Sequence, residues 1–190
     1  MNDIELLIKI LSMDKPSMGI KDNEGYIFNL IPGLEKCKGF DQNNPWHIYD
    51  VYNHILHVID GVDNNMVLRF SALFHDIGKP YVYKEDEKGI GHFYGHWIIS
   101  RGIFDSFADK YHIGDKKVIS NLIYYHDINI GKLDEENIRY IISVLGIENI
   151  SLLYNLKRAD LLAQNSRYHY MIDNLNREEK KLLRSKYEKI

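Results

Sequence analysis

The chain has 190 residues, of which 45% are hydrophobic and 27% charged, and its formal net charge is −3. This length and apolar content suit one compact domain with a sizeable core, and they exclude a disordered chain. The negative net charge excludes a protein that binds nucleic acid mainly through its overall charge, while a local basic patch stays compatible with it. We therefore expect a single domain over residues 1–190.

Cys37 is the only cysteine, so an internal disulfide and a zinc site built from thiolates are excluded. The first 13 residues are amphipathic and carry two acidic side chains, which is unlike a signal peptide. No apolar run approaches the roughly 20 residues that cross a membrane. We expect a cytoplasmic protein with no membrane partner, and the sequence leaves the oligomeric state open.

The first 48 residues contain one clear helical pattern, which the Lys15-Pro16 step is expected to end. Residues 14–48 are rich in Gly, Pro, Asn and Asp, and we predict an irregular segment with one short helix near residues 33–38. The apolar residues that define the first helix are Ile4, Leu7, Ile8 and Leu11.

Two central helices are predicted next, over residues 49–62 and 66–77. The second is apolar on all sides, as a buried helix would be, and Gly78 is its predicted C-cap. Residues 81–94 contain a charged stretch and two glycines. We predict a loop there, with a small hairpin as the alternative.

The rest of the chain shows five further helical patterns, and strand-like alternation is nearly absent. Asp115 and Asp134 are predicted N-caps, and Gly146 is a predicted C-terminal stop. The predicted fold class is all-α, a single-domain helical bundle of about seven or eight helices whose last, charged helix packs along the outside. The five helices are predicted over residues 95–109, 115–127, 134–146, 148–165 and 168–188.

Nine histidines are many for this length, and several stand in apolar surroundings next to aspartate. His75-Asp76 lies near the end of the most apolar helix, and Asp160 lies within a second apolar stretch. Burying such groups is costly unless something binds them, and a divalent cation would offset the cost because imidazole and carboxylate are natural ligands. A helical bundle can gather ligands from facing helices. The candidate metal ligands are His54, His75, Asp76, His96, His126 and Asp160.

The order of His54, His75-Asp76 and Asp160 resembles the H…HD…D signature of the HD superfamily of metal-dependent phosphohydrolases. The segment Leu73–Pro80 resembles the central motif of that superfamily, and His96 with His126 matches the two extra histidines of members with a binuclear centre. Over residues 25–170 the chain is also similar to the HD domain of bacterial CCA-adding enzymes and poly(A) polymerases. The segments that carry this second likeness are 31–34, 44–54, 93–96, 124–127 and 158–165.

The nucleotidyltransferase domain of those enzymes has no match in this sequence, because the paired-aspartate strand motif after a Gly-Ser turn is absent. We therefore do not expect CCA addition. What the resemblance implies is the HD part alone, a phosphatase and cyclic-phosphodiesterase module with the HD-domain fold. Its motif-bearing core would cover about residues 25–170.

The resemblance implies one metal held by His54, His75, Asp76 and Asp160. A second metal would share Asp76 and bind His96 and His126, unless these two histidines contact phosphate and the centre holds one metal. Mn, Fe, Ni, Co and Mg all suit such ligands. A water activated by the metals would attack phosphorus. The predicted catalytic residues are His75, Asp76 and Lys79, and the predicted substrate contacts are Lys79, Arg158 and His92.

Each candidate ligand also has a simpler interpretation. His54 fits an ordinary position on a helix, and His75-Asp76 fits an ion pair or a cap at a helix end. Asp160 fits an ion pair with a neighbouring basic residue. His96 and His126 fit exposed or hydrogen-bonded positions at helix ends. The histidines that we do not expect to bind metal are His47, His57, His92, His112 and His169.

These observations predict a metal-dependent phosphohydrolase. Its substrate would be a phosphomonoester or a cyclic phosphodiester, carried by a nucleotide, another small phosphate ester or an RNA 3′ end. The alternative is a module that binds RNA or tRNA, or that serves a separate nucleotidyltransferase chain as a partner, and that keeps the HD scaffold without catalysis.

Overall fold

The structure is a computed structural model that describes residues 4–184, and this part of the chain is mostly helical. The predicted all-α class is confirmed. The described residues form eleven α-helices, more than the seven or eight expected, because short helices occupy the segment that was predicted to be irregular. The helices are α1 Glu5–Leu11, α2 Pro16–Asp22, α3 Glu24–Leu30, α4 Pro32–Glu35, α5 Val51–Gly61, α6 Met66–Phe74, α7 His96–Tyr111, α8 Lys116–Tyr125, α9 Glu135–Leu145, α10 Ile150–Leu162 and α11 Ile172–Arg184.

Helices α2 and α3 correct the prediction of an irregular segment over residues 14–48, whereas α4 lies near the short helix predicted at residues 33–38. Pro16 and Pro32 stand at the first position of α2 and α4. Proline suits this position because its missing N–H would have no partner in the helix and its φ is already helical. Each proline therefore begins a helix, and Ile20 and Ile27 anchor this region with fully buried side chains.

The segment 81–94 forms a small hairpin, so the predicted loop is wrong and the alternative is right. Strands β1 Lys84–Glu85 and β2 Gly91–His92 pair antiparallel. The Oδ1 atom of Asp86 closes the turn by accepting the N–H groups of Lys88 and Ile90, each at 2.9 Å. A carboxylate that binds nearby backbone N–H groups in this way is a common turn-forming element.

The central helices begin at capping side chains. Asp50 accepts the N–H of Asn53 at the start of α5, and Asn65 accepts two N–H groups at the start of α6. The predicted N-cap Asp134 of α9 is confirmed, whereas Asp115 makes no capping hydrogen bond and adopts a left-handed φ of 52°. Such caps satisfy backbone donors that the first turn leaves unpaired.

Gly78 was predicted to cap the second central helix, but α6 ends earlier, at Phe74, and the φ of Gly78 is −80°. The reason for a glycine here is close packing. A Cβ atom on Gly78 would lie 2.4 Å from the carbonyl oxygen of His96 and 2.7 Å from the nitrogen of Ser100. The turn after α6 therefore lies directly against the first turn of α7.

Helices α5, α6, α8 and α10 pack against one another in the interior, with α7 along α8 and α11 along α10.

The predicted last helix begins later than expected, because residues Ser166–Met171 form 3-10 turns before α11. The predicted end of that helix, residues 185–188, lies outside the described part. Gly146 ends α9 as predicted, with a φ of 81°. Among residues 4–184, no helix combines the length and apolar character that crossing a membrane requires.

Candidate metal centre

The structure brings all six predicted metal ligands into one cluster. They come from α5, the turn after α6, the start of α7, the end of α8, and α10. Five of the side chains are buried, and that of Asp160 is 16% exposed. The cluster thus has one side that solvent can reach.

Asp76 lies at the centre of the cluster. Its Oδ2 atom lies 3.3 Å from the Nε2 atoms of both His54 and His75. Its Oδ1 atom lies 3.1 Å from Nε2 of His96 and 3.6 Å from Nε2 of His126. Each carboxylate oxygen therefore faces its own pair of imidazoles, which is the arrangement expected of a carboxylate that bridges two cations.

Backbone carbonyls set the orientation of three imidazoles. The Nδ1 atoms of His75, His96 and His126 lie 2.8, 2.9 and 2.7 Å from the carbonyl oxygens of Ala72, Phe93 and Ile123. A carbonyl oxygen only accepts, so Nδ1 of each ring carries the hydrogen and donates it. In a neutral ring, Nε2 then has a free lone pair directed into the cluster. This tautomer is the one that metal coordination through Nε2 requires.

Several atoms of the cluster are buried without a hydrogen bond, namely Nε2 of His54, Nε2 of His75 and Oδ1 of Asp76. Buried polar atoms in native proteins almost always have a partner. Two sets of three ligand atoms, each set within 4.8 Å, could hold a metal ion: those of His54, His75 and Asp160, and those of His75, Asp76 and His126. The donor set and its unpaired atoms therefore fit divalent cations.

The electrostatics of the cluster favour ionised carboxylates. Burial would raise the pKa of Asp76, but the positive charges of His75 and Lys79 outweigh burial and hold this pKa well below its usual range. Burial likewise opposes ionisation of Asp160, but the imidazole of His54, whose Nε2 lies 3.0 Å from Oδ1 of Asp160, outweighs burial and lowers the pKa of Asp160. Both carboxylates are therefore ionised, and each can pair with a cation.

The net pKa shifts of His54 and His126 are opposite, although burial acts in the same direction on both. Burial would lower the pKa of His54, but the carboxylates of Asp160 and Asp76, which lie 3.0 and 3.3 Å from its Nε2, outweigh burial and raise this pKa. Burial dominates at His126 and lowers its pKa, although Asp76 acts in the other direction. His126 is thus neutral at neutral pH, and its Nε2 stays free to bind a metal.

Lys79 lies inside the cluster. Its Nζ is 2.6 Å from Oδ2 of Asp76 and 2.8 Å from Oε1 of Gln42. The residue is only 5% exposed, so its ammonium group balances part of the charge of Asp76. The predicted contact of Lys79 with phosphate stays a prediction.

The structure does not bring Arg158 and His92 into the cluster. The guanidinium of Arg158 lies 2.6 Å from Oε2 of Glu179 on α11. His92 lies in the hairpin, where its Nε2 is 3.1 Å from Oδ2 of Asp86. In this structure both side chains are paired with carboxylates outside the cluster.

Three residues that sequence reasoning missed surround the ligands. Gln42 is 1% exposed and holds Lys79. The ring of His47 packs edge-on against that of His54, with centroids 4.9 Å apart, and burial next to Lys79 lowers the pKa of His47 to about 2. The Nζ of Lys157 donates to the carbonyl oxygen of His126 at 2.6 Å. Only Lys157 had a sequence signal, because it stands three residues before Asp160 and so shares its helix side.

His57 illustrates how the structure separates neighbouring histidines. It stands three residues after His54 on α5 but is exposed, and its ring stacks on Tyr49 at 4.2 Å between centroids. A substitution of His57 is therefore a suitable control for a substitution of His54.

An open cavity of about 400 Å³ adjoins the cluster. Its lining includes His47, His126 and Asp160 and, from α11, Leu175 and Glu178. A volume of this size is within the range of small-molecule sites, roughly 300–1,000 Å³. The exposed side of the cluster therefore faces a space that can admit a ligand.

The sequence profile of the HD domain matches residues 47–164, which is more than half of the chain. All six residues of the cluster lie within the matched range. A comparison with curated proteins finds no match.

Proposed function

The chain belongs to the HD domain family, a family of metal-dependent phosphohydrolases, and we propose that it hydrolyses a phosphomonoester or a cyclic phosphodiester of a nucleotide or an RNA end. The observation that carries the proposal is the position of Asp76, whose two oxygens each face a separate pair of imidazole Nε2 atoms. The likeness of the sequence to the HD domain of CCA-adding enzymes is the reason to include RNA 3′ ends.

We assign the ligands as the sequence predicts. His54, His75, Asp76 and Asp160 would hold one divalent ion, and Asp76 would share a second with His96 and His126. Divalent ions, for which Mn, Fe, Ni, Co and Mg are candidates, supply the Lewis acidity that polarises a phosphate ester and lowers the pKa of a water molecule.

The protein side chains position the reacting groups. The backbone-held rings of His75, His96 and His126 keep their Nε2 atoms directed inward, so no reorganisation is needed when charge develops. Lys79, whose Nζ contacts Asp76, would supply a positive charge to a phosphate oxygen of the substrate.

Hydrolysis consumes one water molecule. A bond forms between the water oxygen and phosphorus, the bond from phosphorus to the leaving oxygen breaks, and the proton that water loses is balanced by the proton that the leaving oxygen gains. The exposed side of Asp160 next to the cavity is where a substrate would approach.

The proposal is tested by measuring hydrolysis of a panel of phosphate esters by the metal-loaded chain. The panel contains nucleoside monophosphates, 2′,3′-cyclic nucleotides and an RNA with a 3′-phosphate. We expect turnover of at least one class, abolished by His75→Ala and kept within about twofold by His57→Ala, because exposed positions tolerate substitution.

A metal-replete protein with no turnover across the panel would contradict the proposal. Binding of tRNA in a gel-shift assay by such an inactive protein would favour the alternative, an RNA-binding module. A cytoplasmic location stays a prediction.

A further inference from the structure

The cavity beside the metal cluster has walls suited to an uncharged organic group. Side chains of Trp46, Leu161, Met171 and Leu175 contribute apolar surface. At about 400 Å³ the space is large enough for a group the size of a nucleoside but not for a folded nucleic acid. The chemistry of its lining therefore bears on which part of a substrate it would hold.

Three of the polar side chains that line the cavity are neutral amides. Asn129, Gln164 and Asn174 line it. An amide both donates and accepts hydrogen bonds, so these groups suit hydroxyls and the edges of a heterocyclic base. None of the three carries a charge that would pair with phosphate.

The cavity offers little positive charge. Lys157 is the only lysine or arginine among the described residues that line it. Two of its three ammonium hydrogens are directed to the carbonyl oxygens of His126 and Ile128, at 2.6 and 2.7 Å. Asp127 and Glu178 add negative charge to the same lining.

From this distribution of charge we propose that the cavity binds the uncharged leaving group of an ester with a single phosphate and discriminates against nucleoside di- and triphosphates. The inference rests on the proposed function, since it places the one phosphate at the metal cluster. Further phosphates in the cavity would meet carboxylates without a free cation to pair with, and like charges close together in a partly buried space repel.

Equilibrium binding tests the inference without relying on turnover. Adenosine monophosphate and adenosine triphosphate are titrated into the chain by calorimetry in excess Mn²⁺. We expect the monophosphate to bind at least about tenfold more tightly, a difference of about 1.4 kcal/mol. Equal binding, tighter binding of the triphosphate, or no binding of either nucleotide would overturn the inference.

Two neighbouring glutamates give a matched pair of variants. Glu178→Gln removes a charge from the cavity and keeps an oxygen that can accept from Tyr154, whose hydroxyl lies 3.2 Å from Glu178. We expect it to reduce the preference for the monophosphate about threefold. Glu179→Gln removes the same charge next to Arg158, outside the cavity, and should leave the preference unchanged. An unchanged preference in Glu178→Gln would contradict the inference.

Leu175→Trp tests directly whether the nucleotide binds in the cavity, because a larger side chain from α11 would fill this space. We expect binding of adenosine monophosphate to weaken at least about tenfold while the metal content of the protein stays the same. Tight binding by this variant would place the nucleotide elsewhere.

The two proposals can fail separately. Hydrolysis of a phosphate ester together with equal binding of both nucleotides would contradict only this inference. Selective binding of the monophosphate without hydrolysis would contradict only the proposed reaction.

Discussion

The Nε2 atoms of His96 and His126 lie 3.2 Å apart, and the Nδ1 atom of each ring donates to a backbone carbonyl. Two neutral rings held in this way present lone pairs to each other, and only a proton or a cation between them can make the contact favourable. Asp76, with its Oδ1 close to both, supplies the negative charge. This pair is therefore the strongest geometric sign of a second cation.

A substitution of His54 tests the proposed metal site that this residue would form with His75, Asp76 and Asp160. His54→Ala should lower the affinity for the divalent ion by at least about 100-fold, because it removes a buried ligand and not merely an outer partner. His57→Ala, on the same helix but exposed, should leave the affinity within about twofold. Both affinities can be measured by competition with a metal-binding dye, and equal affinities in the two variants would contradict the assignment.

Proton release on metal binding follows from the raised pKa of His54. A raised pKa means that the metal-free protein holds a proton on this ring at a pH near the ordinary histidine value of 6.5, and a metal must displace it. We expect release of about one proton at this pH, and an affinity that falls as the pH falls. Titration calorimetry in two buffers with different ionisation enthalpies measures the number of protons released. Binding with no proton exchange would be inconsistent with the contact between His54 and Asp160.

Substitutions of Lys157 and of its neighbour Arg158 should change the free energy of unfolding by different amounts. Lys157→Met leaves one buried and one partly buried carbonyl oxygen without this donor, at up to about 1–3 kcal/mol each, and relief from burying an ammonium group offsets part of this. We expect a net loss of about 2 kcal/mol in the free energy of unfolding. Arg158→Met removes a partly exposed ion pair with Glu179 and should cost under about 1 kcal/mol.

Urea unfolding of the metal-free variants measures both effects. Lys157→Met should also weaken metal binding, because the carbonyl that Lys157 holds belongs to His126. If the two variants prove equally stable, the hydrogen bonds of Lys157 do not hold the end of α8.

Gly78 and Gly102 provide a third matched pair. The added Cβ of Gly78→Ala would collide with the backbone of α7 at His96, and such overpacking costs about 1–3 kcal/mol. Gly102 lies within α7, and the position that a Cβ atom would take there has no neighbouring atom within 4 Å. Gly102→Ala should therefore stabilise the helix by about 0.5–1 kcal/mol. Thermal unfolding distinguishes the two, and a harmless Gly78→Ala would show that the contact between the turn and α7 is not tight.

The buried cluster could be predicted because several of its members are polar residues whose burial has a cost that the sequence makes visible. His75-Asp76 and Asp160 stand in apolar helical segments, where only a bound partner offsets desolvation. The helices that carry these residues show a clear periodicity of apolar side chains, so the buried side of each helix could also be predicted. The same reasoning does not reach Gln42, since a lone amide in a segment of Gly, Pro and Asn has no pattern that indicates its partner.

Tertiary contacts explain the other differences between prediction and structure. Pro16 and Pro32 fit both the end and the start of a helix, and the buried side chains around them select the start. The role of Gly78 depends on how close α7 comes, which no local pattern contains. Arg158 stands two residues before Asp160 and so points to another side of α10, where α11 supplies Glu179.

Elemental analysis of the purified chain tests the central claim most directly, when combined with the variants of His96 and His126. The account predicts two divalent ions per chain, falling to one in His96→Ala and His126→Ala and below one in Asp76→Ala, because Asp76 serves both positions. A wild-type protein that holds no divalent ion after exposure to Mn²⁺, Fe²⁺, Ni²⁺, Co²⁺ and Mg²⁺ would contradict it.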